Sequence, residues 1–249
     1  MVIDTIGKSD AKVLIDENEV LKIETTSLIS NNEYHMLKLL NGKLPVPKVM
    51  DFYQKNGENY LRMSKIKGKM LCDKEIIEEP YKVVKLAASS LKKLWEINID
   101  DCKEKFIINI DKKLEIARFR VENGLVDTSM CEDETFNGNE FSNPLELLVW
   151  LENNKPKCDK LVLSHGDFCL PNIFANGENI SGYIDLGLCG LDDIYQDIAI
   201  CYRSLRDNII GRYSNGKNQN FDIELIFSEL GIVPDYNKIR YYLLLDELF

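Results

Sequence analysis

The sequence predicts an α+β protein of two lobes, a small β-rich N-terminal one and a larger, mainly helical C-terminal one. Three observations carry this reading. Short β-prone runs crowd the stretch before residue 66, apolar residues recur at helical spacing after Gly68, and one polar strand–loop–hairpin segment, Leu161 to Gly187, interrupts the helical part. The lobes are assigned to residues 1–66 and 67–249, with a hinge expected near Ser64 to Gly68. Clefts between lobes are favoured ligand sites.

In chain order, Ala11 to Asp16 and Glu19 to Ile23 read as strands about the polar turn Asp16-Glu17-Asn18. Leu28 to Leu40 reads as a helix stopped by Gly42 and by the prolines at 45 and 47. Lys48 to Tyr53 and Tyr60 to Lys65 read as a pair of strands joined through Asn56-Gly57. Helices are expected over Tyr81 to Ile97, Asp111 to Glu122 and Pro144 to Glu152. A further helix carries the stripe Ile194, Ile198, Cys201, Tyr202 and Leu205, and Asn237 to Leu248 forms the last. Between them, Leu161 to Ser164 is a strand, and Ile173-Phe174 pairs with Ile180 to Asp185 across Asn176-Gly177.

Composition narrows the function. Hydrophobic residues make up 45% of the 249, ordinary for a globular chain. No apolar run approaches the ~18 residues of a membrane span. Met1 to Lys12 has no signal-peptide core, so a soluble, cytoplasmic protein without membrane contact is expected. Seven cysteines with no Cys-x-x-Cys pair, and two histidines, argue against a disulfide framework and a zinc site. The 41 acidic and 31 basic residues give a formal charge of −10, which disfavours nucleic acid as a partner and suits a cationic small molecule. A monomer is the simplest expectation.

The chemistry concentrates in LVLSHGDFCLPNIFANGENISGYIDLG, residues 161–187. A strand ends in His165-Gly166-Asp167, Asn172 follows five residues later, and a hairpin returns the chain to Asp185. Phosphoryl transfer needs a carboxylate beside the acceptor hydroxyl and oxygen ligands for Mg²⁺ against the nucleotide phosphates. Asp167 suits the first role, and Asn172 and Asp185 suit the second. His165 reads as a core histidine.

This segment resembles the catalytic loop and metal-binding segment of the aminoglycoside phosphotransferases, which share the bilobal protein-kinase-like fold. DTIGKSDAKV, GKLPVPKV, YQDIA and YYLLLDELF extend the similarity over nearly the whole chain, closest to the 3′-phosphotransferases. The resemblance implies that Lys22 contacts the nucleotide α- and β-phosphates and that Glu33 pairs with it. It places Ser9 in the phosphate-covering loop, and Met63, Ser64 and Ile66 at the adenine. It also implies ATP or GTP with Mg²⁺ as cofactors and an aminoglycoside as substrate, phosphorylated at a hydroxyl expected to be the 3′ one, with antibiotic resistance as the outcome. Glu132, Asp133 and Glu134, expected in a loop near Glu140, would join Asp246, Glu247 and the terminal carboxylate of Phe249 in an anionic cleft for ammonium groups.

The sequence departs from the pattern in three places. The nucleotide loop begins almost at once, at Asp4-Thr5, where the family has a preceding helix. Val20 stands for the adenine-stacking aromatic, and Leu188 for an arginine after Asp185-Leu186-Gly187. Weaker nucleotide binding or an altered nucleotide preference, with chemistry retained, is the expected effect. Two rival readings share these residues. One is a small-molecule kinase for choline, a sugar or another antibiotic, and the other is a catalytically impaired binding relative.

Overall fold

The structure is a computed structural model describing residues 2–4, 11–98, 100, 108–136, 140–158, 160–214, 218 and 220–249. Its first half-dozen elements build one antiparallel sheet with a helix against it. Strands β1 (Val2–Asp4), β2 (Lys12–Ile15) and β3 (Glu19–Thr25) are followed by helix α1 (Leu28–Leu40) and strands β4 (Val49–Lys55) and β5 (Glu58–Ser64). The sheet order is β1-β2-β3-β5-β4. The β4–β5 turn has both Asn56 (φ 53°) and Gly57 (φ 79°) in the left-handed region, the geometry that an Asn-Gly pair supplies without strain. Ser27 caps α1 through the Ser30 N–H, and the Ser30 hydroxyl returns the bond to the Ser27 N–H. Gly42, at φ 81°, then turns the chain just past the helix, as expected. Met36, Leu37 and Leu40 of α1 are buried with Leu61 and Met63 of β5, which fixes the helix to the sheet.

The remainder is mainly helical. It comprises β6 (Lys69–Met70), α2 (Lys74–Ile77), α3 (Pro80–Trp95), α4 (Ile110–Glu122), α5 (Asp133–Phe136), α6 (Pro144–Asn153) and β7 (Leu161–Ser164). Then come β8 (Ile173–Asn176), β9 (Asn179–Tyr183), β10 (Gly190–Asp193), α7 (Ile194–Ile209), α8 (Leu225–Leu230) and α9 (Tyr236–Asp246). β7 pairs with β10, and β6, β8 and β9 form a second small sheet. Val83, Val84, Ala87, Leu91 and Leu94 give α3 a fully buried stripe. The α+β class and the small antiparallel N-lobe are as the sequence led one to expect. Among the described residues no helix is long and apolar enough to cross a membrane.

Some elements were not foreseen. Glu132 to Glu134 were expected in a loop, yet Asp133 opens the short helix α5. β10 reads Gly-Leu-Asp-Asp, a turn by composition, but it is buried throughout. Adjacent strand residues face opposite ways. Asp192 therefore meets Lys113 of α4 at 2.9 Å while Asp193 meets Lys238 of α9 at 2.7 Å, and the Tyr242 hydroxyl donates to Asp192 at 3.3 Å. Two buried ion pairs thus tie β10 to helices α4 and α9.

Candidate active site

The loop after β7 is held by one buried carboxylate. Asp197, on the first turn of α7, accepts from the Ser164 hydroxyl (2.8 Å), the His165 N–H (3.2 Å), the Gly166 N–H (3.1 Å) and the Trp95 indole (3.2 Å). Gln196 donates to the Gly166 carbonyl at 3.0 Å. Gly166 has φ 86°, and a Cβ there would lie 2.1 Å from the Leu188 carbonyl oxygen, so glycine is required twice over. His165 is fully buried, and burial lowers its pKa to about 4, so it is a neutral core residue.

This clamp presents Asp167. Its Oδ2 accepts from the Asn172 side-chain amide at 2.9 Å, and the same amide reaches the Asp167 carbonyl at 3.1 Å. Burial, then the charges of Asp246 and Asp185, raise its carboxyl to about 7, while Cys169 and Arg203 act in the opposite direction. A carboxylate with a pKa close to neutrality is suited to accepting a proton.

Asp185 begins the turn after β9 in a left-handed conformation (φ 59°), uncommon for a residue other than glycine. It reaches across to the N-lobe, where Lys22 of β3 donates to Asp185 Oδ1 at 2.9 Å and to Glu33 Oε2 at 2.7 Å. Glu33 is fully buried on α1 and also accepts from the Leu186 N–H. Its neighbour Asn32 donates to the carbonyls of Gly187 (3.0 Å) and Cys189 (2.8 Å). A Cβ on Gly187 would overlap Ile29 of α1 at 2.6 Å. Helix α1 is thereby seated on the Asp185 turn, and Lys22, Glu33 and Asp185 meet as a unit. Glu24 Oε1 lies 3.7 Å from the same Lys22 nitrogen. Burial, with Glu33 and Asp185 adding to it, raises its pKa to about 7 despite Lys22.

Where the lobes join, Met63 pairs with Val20, Ser64 with Glu19, and the Lys65 N–H with the Asn18 carbonyl. Ser64 is fixed further by the Lys48 N–H, which donates to its hydroxyl at 2.9 Å. Ile66 packs closely over Gly182 of β9. Val20 is half-buried against the core, and Leu188 ends the turn that Asp185 begins. Ser9, with Gly7, lies outside the described residues.

The two acidic groups expected to bind ammonium groups meet each other. The Glu132 N–H donates to Glu247 Oε2 at 3.0 Å. Arg203 of α7 pairs with Asp246 and, at 3.3 Å, with Glu247, while Arg206 pairs with Glu132. Arg120 holds the chain end, donating to the Leu248 carbonyl (2.8 Å) and to an oxygen of Phe249 (2.9 Å). The carboxylates of the cluster are therefore paired rather than bare, because α7 brings two guanidiniums that sequence spacing did not announce. Asp133 and Glu134 lie on the exposed side of α5, and Glu140 pairs instead with Arg240. Asp197 stood within the conspicuous YQDIA run, but only the fold assigns it the loop. Arg203 and Glu24 carried no signal of their own.

Nucleotide and metal chemistry can be weighed against this geometry. Asp185 and Asn172 offer a half-exposed carboxylate and an amide. This is an oxygen set that suits Mg²⁺ when phosphate and water complete the shell. Among the described residues no three His, Cys, Asp or Glu side chains gather as a metal cage.

The chain is similar over nearly its whole length to known proteins. Residues 9–225 match the family described as the phosphotransferase enzyme family. An aminoglycoside 3′-phosphotransferase from Enterococcus faecalis is 39% identical over 99% of this chain and 92% of its own length. One from Staphylococcus aureus is 38% identical over 99% and 92%. A solved aminoglycoside phosphotransferase from Streptomyces rimosus superposes with a TM-score of 0.81 over 99% of this chain and 92% of that one, at 23% identity. The same protein is also known in complex with ADP and streptomycin, where the superposition gives a TM-score of 0.77 over 96% of this chain and 89% of that one, at 23% identity. The likeness to these solved structures is one of fold, and by the family match and the two sequence relatives the chain belongs to the aminoglycoside phosphotransferase family.

Proposed function

We propose that the protein transfers the γ-phosphoryl group of ATP or GTP to a hydroxyl of an aminoglycoside, the 3′-hydroxyl first among them. The observation that supports this best is the position of Asp167. It feels the charge of Asp185, which engages the N-lobe lysine, and of Asp246, which stands in the acidic cluster at the chain end. A base between a phosphate-holding side and a cation-holding side is the arrangement that phosphorylation of an amino sugar needs.

In this reading Asp167 orients the acceptor hydroxyl and takes its proton as the new O–P bond forms and the bond from the γ-phosphorus to the β,γ-bridging oxygen breaks, releasing the nucleoside diphosphate. Lys22, kept in place by Glu33, holds the α- and β-phosphates. Asn172 and Asp185 would hold Mg²⁺, which supplies neutralisation of the phosphate charge when bound. Ser64 and Ile66 receive the adenine with Met63 behind it, and Ser9 belongs to the covering loop. Asp246, Glu247 and Glu132 receive ammonium groups, in competition with Arg203 and Arg206, and Asp133, Glu134 and the Phe249 carboxylate extend the same negative surface. Phosphorylation adds bulk and negative charge to the drug, which weakens its attraction to an anionic RNA target and confers resistance.

The test is direct. Incubation with kanamycin or neomycin, Mg²⁺ and either nucleotide should give a product heavier by one phosphoryl group, located at the 3′-oxygen by NMR. Asp167→Ala should remove turnover and leave nucleotide binding nearly intact. No phosphorylated product across an aminoglycoside panel would overturn the substrate reading.

A further inference from the structure

Lys22 faces three carboxylates, and the proposed chemistry uses two of them. Glu33 anchors the lysine at 2.7 Å and Asp185 meets it at 2.9 Å, while Glu24 stands 3.7 Å from the same nitrogen. Lys22 and Glu24 are two residues apart on β3, so they project from the same face of the sheet. The Glu24 side chain is 20% exposed, turned toward the lysine rather than into solvent. Glu33 and Asp185 both hold the lysine at hydrogen-bond distance, and Glu24 stands farther off.

Its effect is on charge. One ammonium against three carboxylates sums to −2 when all are ionised, at the place where nucleotide phosphates enter. An exposed acid would be screened by water, but this one stands beside the buried Lys22 and Glu33, where Coulomb interactions persist. Negative phosphates arriving alone meet that excess. Phosphates arriving with a divalent cation do not, because the cation cancels it.

We propose that Glu24 is a specificity-determining residue that makes the phosphate end of the cleft select metal-loaded nucleotide over metal-free nucleotide. The proposal rests on the reading of Lys22 and Asp185 as nucleotide and metal residues given above. Glu24 touches neither metal nor phosphate in this role. It supplies the negative charge in excess of Lys22 that free ADP or ATP must overcome and that the cation-bound form does not encounter.

The experiment is calorimetric titration of ADP into the protein at about pH 8, with excess Mg²⁺ and, separately, with EDTA. The quantity read is the ratio of the two affinities. Glu24→Gln should lower that ratio by about tenfold, through tighter binding of metal-free ADP, and Glu24→Asp should keep it near the wild-type value. Glu24→Thr removes the charge with a strand-forming residue and serves if the glutamine variant folds poorly, as judged by thermal melting. A ratio unchanged within about twofold in the charge-free variants overturns the proposal. So does a ratio that falls only through loss of Mg²⁺-ADP affinity, which would make Glu24 a structural or metal-contacting group. Failure of the wild-type protein to bind ADP in the presence of Mg²⁺ is a different result. It would sink the kinase reading itself.

Discussion

Replacing Asp167 with asparagine should stabilise the protein while silencing it, and the stabilisation should depend on pH. The folded chain holds the Asp167 carboxyl at about 7, against an ordinary value of 3.8, because burial and the charges of Asp246 and Asp185 oppose its ionisation. A carboxyl raised in this way binds its proton in the folded state at pH values where the unfolded chain has already released it. Folding stability is therefore lost as pH rises from about 4 to about 7. At roughly 1.4 kcal/mol for each pH unit, the cost of ionising Asp167 approaches about 4 kcal/mol above neutrality. Asparagine carries no charge and keeps a side-chain oxygen for the Asn172 amide. The gain should be on the order of 2–4 kcal/mol at about pH 8 and close to nothing at about pH 4. For a chain of this size, a melting temperature higher by roughly 5–10 °C follows at the upper pH. Thermal melts of both proteins without nucleotide or metal, across that range, test it, and adding Mg²⁺ should shrink the difference because a bound cation favours the carboxylate. An Asp167→Asn protein no more stable than wild type at about pH 8, or equally stabilised at every pH, would refute the electrostatic account of the site.

Three further outcomes follow from other parts of the site and its supports. Asp197→Ala should cost roughly 3–5 kcal/mol in urea denaturation, since it strands the Ser164 hydroxyl, the Trp95 indole and two loop N–H groups in a dry interior. Lys113→Met should be similarly damaging by leaving the buried Asp192 without its counter-charge, and Lys113→Met combined with Asp192→Leu should recover most of the loss, as measured by the same denaturation. Gly166→Ala should lower kcat/KM for phosphoryl transfer by on the order of a hundredfold with ADP affinity little changed, because the new methyl must push the catalytic loop off the Leu188 carbonyl.

How much was legible depended on whether the information lay in a contiguous stretch. Asp167, Asn172 and Asp185 fall within one contiguous strand–loop–hairpin segment, residues 161–187, so spacing alone brought them together on the page, and the fold keeps Asn172 on Asp167. The helices with clear apolar stripes, α1, α3, α4, α6, α7 and α9, lie within a few residues of their expected bounds, the differences being those of fraying ends. The meeting of Lys22 with Glu33 was readable only through family resemblance, because a lysine and a glutamate eleven positions apart look like surface residues. Asp192 and Asp193 were not readable at all. Consecutive acids signal a solvated turn, and only the arrival of Lys113 and Lys238 from remote helices makes their burial tolerable. The acidic cluster was seen as charge but not as charge paired with Arg203 and Arg206, since those partners sit more than forty residues away from the groups they hold.

Helix α1 deserves a last consequence. Its neighbouring residues Asn32 and Glu33 grip the Asp185 turn and the N-lobe lysine at once. Swinging this helix out would break the Lys22–Glu33 ion pair and both Asn32 hydrogen bonds together, and it would leave the buried Lys22 without its closest carboxylate. In mechanical terms α1 is a strut between the N-lobe lysine and the Asp185 turn, so a substitution that loosens its seat should disturb both at once.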